Sequence, residues 1–333
     1  MKYFYPKLHT LHKPKMDYSD GLPAYKHLER QERVDAVLKG LLSAQICEVE
    51  YVETLAETEL REIHDDDYVD FLLQLSDELE EDEEYIPSIF REDMSKSPLR
   101  FRGGMYCDEI GTPIGKGTIN AARNSAKTAL KGAEYILNEK KSAFVLTRPP
   151  GHHASASKYG GYCFFNNAYL CAKTLVNAGL NAAVIDVDYH IGDGSMSFAT
   201  KDMPYYSLHA PAFSNYPYLD ASFVNKNENV HLKELEDNMS GEAFLQAVEK
   251  LLFLALEKSP DVIVLSLGFD TLATDGLQDT PIKVQPENFT TLGEMFGSLK
   301  QEVLIVLEGG YDALGLELCA KNFMSGFLHK EAL

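Results

Sequence analysis

From Ile119 onward, apolar and polar positions alternate between two periods. The stretch "INAARNSAKTALKGAEYILNE" (119–139) spaces Ala, Leu and Ile at helical intervals. "SAFVLT" (142–147) is a short apolar run of strand length. "NNAYLCAKTLVNAG" (166–179) is helical again, with Gly179 placed as its C-terminal cap. Further strands are predicted at "AAVIDVD" (182–188), "MPYYSLH" (203–209), "DVIVLSLG" (261–268) and "EVLIVLEGG" (302–310). Helices are predicted at "GEAFLQAVEKLLFLALEK" (241–258) and "PENFTTLGEMFGSLK" (286–300). The strands are apolar throughout, so both of their faces are expected to be buried, as in a parallel sheet. The predicted fold class is therefore α/β: a single domain with a mostly parallel central sheet, flanked by helices on both faces.

Upstream of Ile119 the pattern reads as an N-terminal helical decoration. The acidic run "LSDELEEDEEY" (75–85) opens a stretch rich in Gly, Pro and charge, so a long loop insertion is expected around 76–117. No internal repeat or low-complexity linker divides the chain, and residues 1–333 read as one domain.

Composition narrows the function classes. Of 333 residues, 45% are hydrophobic, enough for a sizeable core. No apolar run reaches the roughly 18–20 residues of a membrane span. The N-terminal "MKYFYPKLHTLHKPK" has no apolar signal core. Five scattered cysteines (47, 107, 163, 171, 319) form no C-x-x-C pair, which points to reduced thiols and a cytoplasmic location. The net charge is 31 − 51 = −20. Nucleic acid and membrane are therefore not expected partners. Such a field steers a cationic substrate, although acidity also serves solubility alone.

Candidate chemistry collects where the predicted strands end. In open α/β sheets, sites lie beyond the carboxyl ends of strands. "SAFVLT" leads into His152 and His153, "AAVIDVD" into Asp188 and His190, and "MPYYSLH" into His209. "DVIVLSLGFD" ends at Asp270, and "EVLIVLEGGYD" at Tyr311 and Asp312. In "DVDYHIGDG", Asp186, Asp188 and His190 fall on one side of an extended segment. Two carboxylates and an imidazole gathered there call for a cation, with Asp270 as the third ligand from a neighbouring strand end. Three protein ligands with one open position is the arrangement of a catalytic metal. Each signal alone has a plain structural reading as a cap or a turn; the shared sheet edge is what favours a site. Gly309 and Gly310 let Tyr311 turn over a pocket, where a phenol can donate to a developing oxyanion.

These motifs carry a family resemblance. "RPPGHHA", "GYCFFNNA", "VIDVDYHIGDG", "SLH", "LGFDTLATDGL" and "EGGYD" resemble the zinc-dependent histone deacetylase superfamily. "HTLHKP", "YKHLERQERVDAVLKGL" and "IHDDDYVDFL" extend the likeness over nearly the whole chain. The long loop and "GTPIGKGT" look most like the bacterial acetylpolyamine amidohydrolase branch.

The resemblance implies an arginase/deacetylase-like fold with its site at the carboxyl ends of the strands. It implies removal of an acetyl group from an acetylpolyamine, an acetyl-lysine or a similar small amide. By resemblance, Asp188, His190 and Asp270 would hold Zn²⁺, with Fe²⁺ as the alternative. His153 would be the general base and then acid, His152 its electrostatic partner, and Asp193 and Asp186 their respective orienting carboxylates. Tyr311 would bind the substrate carbonyl oxygen. Gly161, Tyr162 and Tyr216 would line a narrow tunnel, and Arg33 would sit near an inner cavity that handles acetate. A structural K⁺ would use Asp186, Asp188, His190, Ser207 and Leu208. The 76–117 loop would meet a second subunit in a homodimer.

The chain departs from the family pattern at three points. Ile191 stands where a second histidine is usual, Tyr162 where many members have phenylalanine, and "VNKNENVHL" (224–232) where a glycine-rich stretch is usual. Asp17, Asp20, Asp108 and Glu109 are candidates for a distal ammonium. Two other readings compete. A ureohydrolase needs a second metal and more carboxylates, yet the next Asp after Asp270 comes five residues on. A non-catalytic binder of acylated ligands is expected to have lost Tyr311, His153 or a metal ligand, and all are retained.

Overall fold

The computed structural model describes residues 1–18, 23–45, 47–219 and 227–331. Its eight central strands, all parallel, are β1 (Lys2–Pro6), β2 (Val49–Val52), β3 (Ala143–Val145), β4 (Ala182–Asp186), β5 (Tyr205–His209), β6 (Val230–Glu234), β7 (Val262–Leu267) and β8 (Glu302–Leu307). They lie in the order β6-β5-β4-β7-β8-β3-β1-β2. The helices are α1 (Glu32–Ala44), α2 (Asp66–Glu78), α3 (Thr118–Glu139), α4 (Asn167–Asn177), α5 (Asp193–Ser197), α6 (Gly241–Leu256), α7 (Asn288–Gly297) and α8 (Gly315–Glu331).

Alternate strand residues serve opposite faces. Ile263, Leu265 and Leu267 of β7 and Val303, Ile305 and Leu307 of β8 pack in one apolar cluster with α1, α6, α7 and α8. Val262, Val264, Leu304 and Val306 face the other way, into a cluster with α3 and α4. Each such fully buried aliphatic side chain stabilises the fold by about 1.5–3 kcal/mol. This double burial is what the unbroken apolar runs reported. Local signals also hold: Asn166 caps α4 by accepting from Tyr169 N at 3.0 Å, and Gly179 ends it at φ +89°.

Two expectations need correction. The N-terminal region is not only helical decoration, since β1 lies inside the sheet between β3 and β2. The 76–117 segment is not a bare loop. Its first residues finish α2, and a two-stranded ribbon pairs Glu84–Tyr85 with Ile114–Gly115. Within it Tyr85 donates to the Arg100 carbonyl at 2.7 Å, and Arg100 pairs with Glu83. Among the described residues, no helix is long and apolar enough to cross a membrane.

Candidate active site

The central strands β3, β4, β7 and β8 end at one edge, and their following turns bring the candidate residues together around a cavity of about 1550 Å³. His152, His153, Gly161, Tyr162, Asp188, His190, Asp193, Tyr216, Asp270 and Tyr311 all line it. His209 does not; its Nδ1 faces the carbonyl of Ala210 at 2.7 Å.

Asp188, His190 and Asp270 bring one ligand atom each within 4.8 Å of one another. The strand stops at Asp186, and the turn after it presents His190 Nδ1 to both acids, 3.4 Å from Asp188 Oδ1 and 3.2 Å from Asp270 Oδ2. Backbone donors hold the carboxylates. Gly309 N donates to Asp188 Oδ2 at 2.8 Å and Tyr189 N to Asp270 Oδ1 at 2.9 Å. Burial opposes a charge on His190, but its hydrogen bonds to Asp188 and Asp270 outweigh it and raise it to about 10. Asp270 is pushed up by burial and by the neighbouring Asp188. Two buried acids and an imidazole nitrogen converging in this way fit a divalent cation, which would compensate all three.

Asp186 stays behind the cluster. Its Oδ2 lies 3.1 Å from His152 Nδ1 and accepts from the Tyr205 hydroxyl at 2.8 Å. His153 Nδ1 lies 2.7 Å from Asp193 Oδ1. The two imidazoles are 4.1 Å apart, centroid to centroid, yet their electrostatics diverge. Burial disfavours the His152 charge, but Asp188 and Asp186 outweigh it and hold its pKa well above the usual value. Burial, helped by His152 and His190, drives His153 well below it. The two neighbouring imidazoles are thus pushed in opposite directions. Burial also pushes Asp193 up to about 7.

Gly161 at φ +52° brings the cavity wall against His153. A Cβ there would stand 2.3 Å from the His153 ring. Tyr216 packs edge-on to His153 with centroids 4.7 Å apart. The Tyr162 hydroxyl does not face the cavity as a free donor; it donates to the buried Asp17 at 2.5 Å. Arg33 lies behind Tyr311 rather than on the cavity wall, its guanidinium 4.4 Å from the ring centroid. It donates to the carbonyls of Gly310 and Glu308, at 2.5 and 2.7 Å. Burial keeps the Tyr311 phenol protonated well above pH 10 despite Arg33. Ile191 is fully buried in the α3/α4 cluster, so an apolar contact replaces the histidine usual there.

Of the ammonium candidates, Asp17 is taken by Tyr162, and Asp108 pairs with Lys158 at 2.6 Å. Glu109 accepts from Gly161 N at 3.1 Å and from Thr112 while facing the cavity. Asp20 and residues 224–226 of "VNKNENVHL" lie outside the described residues; the end of that stretch forms β6.

Sequence reasoning missed three buried acids. Glu29 accepts from Arg33 at 2.9 Å and Arg148 at 2.8 Å. Glu308 holds the turn before the histidines, accepting from Gly151 N at 2.8 Å and His152 N at 3.2 Å. Asp275 accepts from Tyr311 N at 2.6 Å. Only Glu308, directly after the apolar run of β8, carried a sequence signal. Glu308 also comes close to His152 and Cys163 as a second ligand-type group. Its oxygens are already used by three donors, including Ser266 at 3.0 Å, and burial keeps the Cys163 thiol protonated, so a structural role suits that group better.

The fold and site together define an α/β protein with a candidate metal centre beside a histidine pair. The sequence model of the histone deacetylase domain matches residues 27–327. Acetylpolyamine amidohydrolase of Burkholderia pseudomallei is 31% identical over 98% of both chains. Acetylpolyamine amidohydrolase 2 of Pseudomonas aeruginosa is 30% identical, over 90% of this chain and 91% of that protein. The crystal structure of the acetylpolyamine aminohydrolase from Burkholderia pseudomallei superposes with a TM-score of 0.91 at 28% identity, covering 99% of each chain. The chain belongs to the histone deacetylase family, and its likeness is to the acetylpolyamine amidohydrolase branch.

Proposed function

We propose that this protein is a metal-dependent amidohydrolase that removes an acetyl group from an N-acetylated amine, of acetylpolyamine or acetyl-lysine type. The observation that carries the reading is the convergence of Asp188, His190 and Asp270 with His153 and Tyr311 in one cavity. The oxygen and nitrogen donors suit Zn²⁺, with Fe²⁺ as the alternative. When bound, such an ion supplies Lewis acidity to the amide carbonyl and lowers the pKa of water.

The chain's own residues complete the chemistry. With Nδ1 of His153 held by Asp193, Nε2 is left to take a proton from water and return it to the leaving amine. His152, held toward its charged form by Asp188 and Asp186, is the electrostatic partner beside the developing anion. The neutral Tyr311 phenol donates to the oxyanion. Gly161, Tyr162 and Tyr216 narrow the approach and exclude water. Arg33 braces Tyr311 from behind. A structural K⁺ would sit beside β4 and β5, on Asp186, Asp188, His190, Ser207 and Leu208. The Ser207 hydroxyl, paired in register with Asp186, is buried beside Tyr205.

Substrate class rests on charge and kinship. The net charge of −20 and the cavity-lining Glu109 and Asp279 favour a cationic amine, in line with the names of the relatives. A panel of acetylputrescine, acetylspermidine, acetyl-lysine peptides and neutral acyl amides, compared by kcat/KM, tests this. Cationic acetylamines are expected to lead, and a clear preference for neutral amides would overturn the assignment. The five cysteines are free, as suits a reducing cytoplasm.

The 76–117 segment exposes Ile89, Phe90 and Phe101 as a face for a second copy. Light scattering is expected to give about twice the 37.2 kDa chain mass, and a monomer would refute the dimer.

A further inference from the structure

The direction of the Tyr311 side chain depends on the peptide unit just before it. Gly310 has φ +119°, a region open chiefly to glycine, so local sequence does not fix the plane of the Gly310–Tyr311 peptide. Tertiary contacts grip both ends of it. The Gly310 carbonyl accepts from Arg33 Nε at 2.5 Å. The Tyr311 N–H donates to Asp275 Oδ2 at 2.6 Å. The same carboxylate oxygen accepts from Asp312 N at 3.1 Å, and Oδ1 accepts from Leu277 N at 3.1 Å. Asp275 is 7% exposed. It belongs neither to the cavity wall nor to the candidate metal cluster among the described residues.

We propose that Asp275 is a positioning residue for Tyr311. With Arg33 on the carbonyl side, it clamps the Gly310–Tyr311 peptide so that the phenol points into the site. A flipped peptide would turn its carbonyl toward the carboxylate and its N–H toward the guanidinium, and both contacts would be unfavourable. Opposite charges thus select one orientation at the point where glycine permits two. The proposal rests on the reading of Tyr311 as the oxyanion donor.

A double-mutant cycle on the metal-loaded enzyme, with acetylputrescine or a fluorogenic acetyl-lysine amide, tests it. Tyr311→Phe alone is expected to lower kcat about 10²-fold. Asp275→Ala is expected to lower kcat by up to about 10²-fold, with KM and metal content nearly unchanged, because small displacements of a reacting group carry penalties of that order. Asp275→Asn, whose amide oxygen can still accept from Tyr311 N, is expected to restore most of the rate. In the Tyr311→Phe background, Asp275→Ala is expected to cost less than about threefold, since the hydroxyl it positions is gone. Equal losses in both backgrounds, or no loss when Tyr311 is present, would overturn the positioning role. Full activity of Tyr311→Phe would instead remove the oxyanion assignment on which the proposal rests. If Asp275→Ala does not fold, Asp275→Glu, which displaces the carboxylate by one methylene, is carried through the same cycle with the same expectations.

Discussion

Asp270→Ala is expected to abolish amide hydrolysis and to strip the protein of bound metal. Asp270 supplies one of three converging donors, and its carboxylate is buried beside Asp188 and His190. Losing an outer partner of a metal ligand typically weakens binding by 10–100-fold, so losing a ligand is expected to weaken it by at least about 10²-fold. Dialysis against a chelator should have the same effect on the unmodified protein, and Zn²⁺ or Fe²⁺ should restore activity. Metal content by elemental analysis, read with Tm, separates loss of metal from unfolding. Hydrolysis that persists after metal has been shown to be absent would sink the metal mechanism.

His153→Ala is expected to lower kcat by about 10²–10⁴-fold, the usual range for a positioned acid–base group. His152→Ala is expected to cost less, because it removes a charge and leaves the proton acceptor. The pH profile separates the two roles. Burial, His152 and His190 hold His153 below the ordinary imidazole value of about 6.5. Its neutral form therefore persists to lower pH, and kcat/KM is expected to hold through pH 6.5 and to fall as acid protonates the base. Removing the His152 charge removes one cause of that depression. The acidic limb of His152→Ala should consequently move toward higher pH. Equal, mild losses in both variants, with unmoved profiles, would exclude the general-base assignment.

Much of the sheet was legible because double burial leaves a plain trace. β3, β4, β7 and β8 are apolar on both faces, and each runs into the residues it delivers to the cavity. The strands that escaped notice show that trace less plainly. β1 is buried on both faces, but its aromatic "KYFYP" begins on a lysine and ends at Pro6 instead of forming an aliphatic run. β2 is an edge strand with Tyr51 55% exposed. β6, "VHLKE", is also an edge strand, none of whose residues is buried. The histidine pair and the D-x-D-x-H segment are compact in sequence, so their chemistry could be read from spacing. Asp275, Glu308 and Glu29 could not, because each has a partner far off in sequence, 36, 157 and 119 positions away. Such acids look like any other until the fold closes over them. The 76–117 segment misled for the opposite reason. Its composition is that of a loop, but the ribbon that ties its ends together uses only two residues on each side.

The Tyr162–Asp17 hydrogen bond bears on any effort to redesign this enzyme. Exchange of Tyr162 for the phenylalanine usual in the family looks like the removal of one hydroxyl from a tunnel wall. Here it would also take a donor from a fully buried carboxylate 145 positions upstream. Positions 17 and 162 thus form a linked pair. A library that varies tunnel residues singly would score Tyr162 as intolerant, whereas one that varies position 17 alongside it would reach tunnel shapes that no single exchange allows.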